Sequence, residues 1–271
     1  MAATGLTGTV CIHEGRFQGM SGILLEAEGL DKRFGEVRAL SNFSCAVGEG
    51  EIVGLIGPNG AGKTTFFNVI TGFLAADRGK AMYGDVNLIG RAPHRIAELG
   101  LSRTFQKLRL IRQLSVLDNV LLCFKNQPGE LLGNIFFRLK ASKAKEGENR
   151  KRAIELLESA GLQEKLYDPA SDLSYGQQKL LSLICCLAAN ADLLLLDEPV
   201  AGIAPEMIKK ILGIIRSLPG QGKTVILIDH NIDAVVQVCD RVIFMDAGEK
   251  VSEGSPEDVR NDPRVIEAYL D

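Results

Sequence analysis

The sequence predicts an α/β fold in which a mostly parallel sheet is covered on both faces by helices. Three observations carry this. Four apolar runs without polar alternation, EIVGLI (Glu51–Ile56), LLLLD (Leu193–Asp197), TVILID (Thr224–Asp229) and RVIFMD (Arg241–Asp246), read as strands buried on both sides. They are separated by stretches with helical spacing, the pattern of a crossover-connected sheet. The first run leads straight into a glycine-rich turn and then a helical pattern.

In chain order, residues 1–21 lack a basic stretch followed by an apolar one and read as a flexible extension, with Met20 as an alternative start. From Ile23 to Ala46 the pattern is short strands with turns, an antiparallel β part ahead of the main sheet. A helix is expected over Gly62–Gly72, with Phe66, Phe67, Val69 and Ile70 on its buried side, and another strand and turn over Asp77–Gly90. Residues of about 107–190 read as an inserted helical subdomain. They include an amphipathic helix over Arg150–Ala160, with Ile154, Leu157 and Ala160 at helical spacing, and a helix running from LSYGQQ to about Ala189. Residues 22–271 are expected to form a single domain, which suits a chain of 271 residues.

Composition narrows the function. Apolar residues at 46% suffice for a soluble core, and the longest apolar stretch, Leu180–Leu196, is broken by Ser182, Asn190 and Asp192, so it reads as no spanning helix. A net charge of −3 gives no reason to expect nucleic acid as a partner. The basic run Arg138–Arg152 reads as a solvated linker entering a helix. Six scattered cysteines without C-x-x-C spacing fit a reducing cytosol, and Cys11 with His13 has no second half for a metal site.

The chemistry begins at Gly57-Pro58-Asn59-Gly60-Ala61-Gly62-Lys63-Thr64-Thr65, which satisfies G-x-x-x-x-G-K-[ST] between a strand and a helix. Glycines let backbone N–H groups approach phosphate oxygens, the helix dipole favours anions, Lys63 reaches the outer phosphates and the Thr64 hydroxyl can ligate Mg²⁺. Gly222-Lys223-Thr224 repeats only the GKT letters. Ser217 stands where the first glycine is needed and a strand follows, so it is a turn.

Asp197 and Glu198 end an apolar strand, where a parallel sheet opens onto its ligand crevice. Asp197 is placed to hold Mg²⁺ from beside Thr64, and Glu198 to polarise a water. His230 ends the next such strand and is expected on the same rim. Gln106, in Arg-Thr-Phe-Gln, follows a sheet-edge strand and by itself means nothing. In LSYGQQ, Ser174 and Gln177 form a capping box, which explains the stretch structurally; Gly176 leaves the helix entrance open to an anion, and both readings stand.

With these motifs in this order, residues 23–271 resemble an ABC transporter ATPase subunit, and RTFQ, LRLIRQLSVLDNV, YGQQ and the ending EGSPEDVRNDPRVIEAYLD are most similar to importers for branched-chain amino acids and related small solutes. The resemblance implies a P-loop NTPase fold with a RecA-like sheet, ATP and Mg²⁺ as cofactors, and the phosphate loop at Gly57–Thr65. It implies catalytic roles for Lys63, Gln106, Glu198 and His230, metal contacts from Thr64, Gln106 and Asp197, and a signature at Leu173–Gln177 whose Ser174, Gly176 and Gln177 face nucleotide. Phe34, in KRFGEV, matches the aromatic that stacks on adenine.

It further implies a head-to-tail pair of ATPase subunits, two transmembrane permease subunits, a periplasmic or extracellular solute-binding protein, and a cytoplasmic position on the inner face of the membrane. Two departures stand out. Tyr175 occupies a position where most signatures have glycine, and Ala204 replaces the aspartate that bridges subunits. A non-transport ABC ATPase would carry long coiled-coil insertions or two tandem cassettes, and the chain has neither. A regulatory module without turnover would not need Glu198 and His230, and a GTPase would carry N-K-x-D, which is missing here.

Overall fold

A computed structural model describes residues 22–106, 108–125 and 139–270. The expectations for residues 1–21, for Cys11 and His13, and for Arg138 fall outside them.

Two sheets organise the chain. The smaller is antiparallel, in the order β2-β1-β4-β5, with β1 at Ile23–Phe34, β2 at Val37–Gly48, β4 at Arg78–Tyr83 and β5 at Val86–Asn87. Where the sequence predicts several short strands over Ile23–Ala46, the structure has two of 12 residues each. The register between them shifts several times, once between Ala27 and Leu30, where Gly29 takes φ +59°. Such irregularities break the period-2 pattern that would mark one long strand.

The larger sheet has six strands in the order β10-β9-β3-β8-β7-β6: β3 is Ile52–Ile56, β6 Leu101–Arg103, β7 Leu193–Asp197, β8 Thr224–Ile228, β9 Arg241–Asp246 and β10 Glu249–Gly254. All neighbours pair in parallel except β10 against β9, so the mostly parallel sheet is as expected. Its strands bury both faces. Ile52, Leu194, Leu196, Val225 and Leu227 point into one core cluster; Val53, Leu55, Leu193, Leu195, Ile226 and Ile228 point into the other, towards the antiparallel sheet. This is the alternation of successive side chains across a strand, here with apolar surroundings on either side.

Helices complete the layers: α1 (Lys63–Ile70), α2 (Pro93–Leu99), α3 (Val116–Leu121), α4 (Leu139–Ser159), α5 (Tyr175–Ala188), α6 (Pro205–Ser217), α7 (Ile232–Val238), α8 (Pro256–Arg260) and α9 (Pro263–Leu270). The helix expected over Arg150–Ala160 is the C-terminal half of α4. Helices α3, α4 and α5 lie between β6 and β7 in sequence, and their apolar faces merge with one face of the large sheet. No helix among the described residues is long and apolar enough to cross a membrane.

The register places the chemistry. Leu55 and Asp197 both pair with Ile228, so β3, β7 and β8 end level. The residues that follow, from Gly57, Glu198 and His230 onward, therefore share one rim, where open α/β sheets bind ligands.

The other end of the sheet is fastened by Arg241. Its guanidinium donates to both oxygens of Glu51 (2.7 and 3.0 Å), to the Ala46 carbonyl (2.6 Å) and to Glu253, joining the two sheets. Glu51 is 2% exposed, so Arg241 replaces hydrogen bonds that water would otherwise supply. Removing one member of a buried pair costs about 3–5 kcal/mol. Arg241→Met should lower the thermal midpoint by about 10 °C in a melt followed by circular dichroism, given ~2–4 °C per kcal/mol for a chain of this size class.

Candidate active site

The loop from Gly57 to Gly62 is shaped by what its glycines lack. A Cβ on Gly57 (φ +149°) would lie 2.0 Å from the Met245 carbonyl oxygen, and one on Gly62 (φ +102°) 2.3 Å from that of Ala39. Both are backbone contacts that cannot yield, so only glycine fits. Gly62 also precedes α1 and leaves the helix N-terminus without a side-chain cap, its N–H groups open to an anion. Lys63 folds back over the loop, donating to the carbonyls of Gly57 (2.7 Å) and Pro58 (2.8 Å). An ammonium has three donors, so capacity remains for a phosphate oxygen. Burial pulls Lys63 below its ordinary pKa, and the carboxylates of Glu198 and Asp197 oppose that shift.

Opposite the loop stand the strand ends. Residues Asn59–Thr65, Gln106, Glu198, Ile228 and His230 line one cleft of about 230 Å³. Glu198 is its hub. Oε1 is 2.8 Å from His230 Nε2, and Oε2 accepts from Gln106 Nε2 at 3.1 Å. Glu198 holds φ +51°, a left-handed conformation rare outside glycine. The backbone is fixed there from both sides: its N–H donates to Ile228 O (2.7 Å), and its carbonyl accepts from Lys179 Nζ (2.5 Å).

Asp197 lies beneath the cleft, 5% exposed, with its N–H donating to Thr104 Oγ1 and its Oδ2 accepting from Arg103 Nη2 at 3.0 Å. Burial raises its pKa and the Arg103 hydrogen bond opposes this. The exposed Thr64 hydroxyl, the Asp197 carboxylate and the Gln106 amide oxygen are hard oxygen donors of the kind Mg²⁺ prefers when phosphate and water complete its shell.

Not every expected site residue enters this cleft. Phe34 ends β1, half-exposed, with Lys32 Nζ 5.6 Å from its ring centroid. The end of α5 also lies elsewhere. There the capping box is complete: Ser174 Oγ accepts from Gln177 N (3.3 Å) and Gln177 Oε1 from Ser174 N (2.9 Å). Gly176 has a packing reason that its neighbours in sequence do not disclose. A Cβ there would meet Met207 at 3.1 Å and Ile203 at 3.6 Å.

A family described as ABC transporter matches residues 40–201, more than half of the chain. The chain belongs to that family. A second family pattern, described as branched-chain amino acid ATP-binding cassette transporter, matches residues 249–270. Among curated relatives, the high-affinity branched-chain amino acid transport ATP-binding protein LivG of Escherichia coli K12 is 38% identical over 93% of this chain and 99% of its own. Among solved structures, the ADP conformation of an ATP-binding cassette of an ABC transporter aligns with TM-score 0.80 and 34% identity, over 92% of this chain and 99% of that one. A dimeric post-hydrolysis cassette bound to ADP and Pi aligns with TM-score 0.71 and 27% identity, over 86% and 98%. The chain is thus an ATP-binding, ATP-hydrolysing subunit of a membrane transporter, on a P-loop NTPase fold.

Two residues of this ABC cassette escape a reading by sequence. Lys179 looks like the polar edge of an apolar helix, yet it is 8% exposed and reaches the Glu198 carbonyl. Arg103 looks like a charge on an edge strand, yet it binds Asp197 and Asn68 (2.6 Å) and stacks over Phe67 and Phe105 at 5.3 and 5.0 Å. Its buried Nε finds no hydrogen-bond partner among the described residues. The only hint is its place at the C-terminal end of a parallel strand. Both side chains of the Arg103–Asp197 pair are nearly inaccessible, at 6% and 3%. Arg103→Met should therefore cost about 3 kcal/mol or more in chemical denaturation, whereas an exposed pair would cost under ~1.

Proposed function

We propose that this cassette powers the import of branched-chain amino acids or related small amino acids and amides. Support comes from the relatives' names and from the C-terminal match, which spans the final helices. The observation that carries the enzymatic part is the convergence of Lys63, Thr64, Gln106, Glu198 and His230 on one cleft.

In this reading ATP lies along Gly57–Thr65 with its phosphates against the backbone N–H groups and Lys63, and Phe34 stacks on the base. Thr64, Asp197 and Gln106 would hold Mg²⁺, which would supply charge neutralisation at the phosphates. Glu198 accepts a proton from the attacking water. His230 and Gln106, each hydrogen-bonded to one of its oxygens, fix the carboxylate plane and hold the water in line. The left-handed backbone at Glu198 is the strain this geometry requires.

The end of α5 completes the picture. Ser174, Gly176 and Gln177 lie outside their own chain's cleft, which suits a site shared with a second ATPase subunit packed head to tail. Two transmembrane permease subunits and, indirectly, a periplasmic or extracellular solute-binding protein would complete the assembly, with the cassette on the cytoplasmic face of the membrane and no nucleic acid involved. The segment after Gln106 would carry motion to the permeases.

Two measurements test this. Lys63→Ala should weaken ATP binding at least tenfold in a fluorescent-nucleotide titration; unchanged affinity would undo the phosphate-loop assignment. Glu198→Gln should bind ATP without turning it over and elute as a dimer in gel filtration with Mg²⁺ and ATP, and a species that stays monomeric with ATP and every partner subunit would sink the shared-site model.

A further inference from the structure

Lys179 sits one helical turn beyond Ser174–Gln177 on α5, and its ammonium donates to the main-chain carbonyl of Glu198 at 2.5 Å. Three further observations make this contact more than packing. The side chain is buried, and burial lowers its pKa against the opposing pull of Asp229, Glu198 and Asp197. A lysine is buried at such cost only where its charge has a defined partner. The carbonyl it holds belongs to a residue at φ +51°, whose conformation needs over-determination by its surroundings. The aromatic ring of Tyr175 lies 5.4 Å from the same ammonium. That gives the one signature residue without a sequence-level explanation a physical task, a cation–π contact that helps fix the lysine.

The neighbours are consistent. Asp229 accepts from the amides of Val200 (3.3 Å) and Asn231 (2.9 Å), so the segment after Glu198 is tied to the segment carrying His230. Ala204, which opens α6, offers no side-chain cap and no charge.

Resting on the shared-site reading above, we infer that Lys179 is a positioning residue for hydrolysis. It ties the nucleotide-facing end of α5 to the backbone of the same chain's Glu198. A partner's ATP seated on Ser174–Gln177 then acts on this chain's own carboxylate through one helical turn and one hydrogen bond. Coupling between the two sites needs no aspartate at position 204. Lys179 does not line the cleft; it acts by holding Glu198 where Gln106 and His230 can meet it.

The test uses the full chain, Lys179→Met and Lys179→Arg, steady-state ATP hydrolysis, and amide hydrogen exchange with a non-hydrolysable Mg–ATP analogue. Lys179→Met should lose at least tenfold in kcat with KM for ATP within twofold, the signature of an interaction realised in turnover and not in binding. Lys179→Arg, which keeps a donor, should recover most of that loss. In the wild type the analogue should protect the amides of both Gly57–Phe66 and Glu198–Val200, and in Lys179→Met only the former.

A Lys179→Met kcat within twofold of wild type, a loss expressed in KM, or retained protection at Glu198–Val200 would overturn the inference while leaving the ATPase assignment intact. Failure of the analogue to protect Gly57–Phe66 in the wild type would instead overturn the assignment itself. Should Lys179→Met fail to fold, Lys179→Arg decides: kcat and exchange at Glu198–Val200 changing together or not at all, with KM fixed, supports the proposal, and either moving alone overturns it.

Discussion

The conformation of Glu198 is the constraint around which the molecule is arranged. A non-glycine residue in the left-handed region relaxes to an ordinary conformation unless both flanking peptides are held. Here one is held by β8, through the Ile228 carbonyl, and the other by α5, through Lys179. The strand that delivers Glu198 is buried on both faces and locked in register with β8. The result is a carboxylate aimed across the cleft at the phosphate loop, with one oxygen on His230 and the other on Gln106. Four elements of separate sequence origin, β6, β7, β8 and α5, thus meet at one acidic residue.

Electrostatics explain why the cleft tolerates so much charge. Lys63 and Asp197 are both nearly buried, and each would be driven towards its neutral form by burial alone. What opposes this is mutual: Glu198 and Asp197 favour the ammonium, Arg103 and Lys63 favour the carboxylate. Arg103 spans the distance between them by also gripping Asn68 on α1, so the helix carrying Lys63 and the strand carrying Asp197 are joined through a single guanidinium. A planar fork with several donors can do this where a lysine could not. Arg103 therefore belongs to the site's framework although it does not line the cleft.

Much of this was legible in the sequence, and the reasons it was legible are physical. Central parallel strands announce themselves because both faces are apolar, so EIVGLI, LLLLD, TVILID and RVIFMD could be placed without a partner. The phosphate loop was legible because Gly57 and Gly62 serve backbone contacts that admit nothing else. What stayed hidden depends on direction in three dimensions. The bulges of β1 and β2 disguise long strands as short ones, since a shifted register moves side chains to the other face. Lys179 and Arg103 are single cations on otherwise ordinary elements, and only the fold shows that both turn inward. Gly176 has a second reason that only the fold shows, because a Cβ there would crowd Met207 of α6.

The position of the α5 terminus closes the argument. Its capping box already satisfies the local helix end, so stability alone accounts for Ser174 and Gln177. Stability does not account for a buried lysine one turn later that reaches across to the residue after Asp197, nor for an exposed tyrosine set against that lysine. A helix whose first turn faces outward and whose second turn grips the backbone of Glu198 is suited to reporting what arrives at its end. With alanine at position 204 the N-cap of α6 carries no charge, and α5, through Lys179, joins the outer end of its helix to the backbone of Glu198.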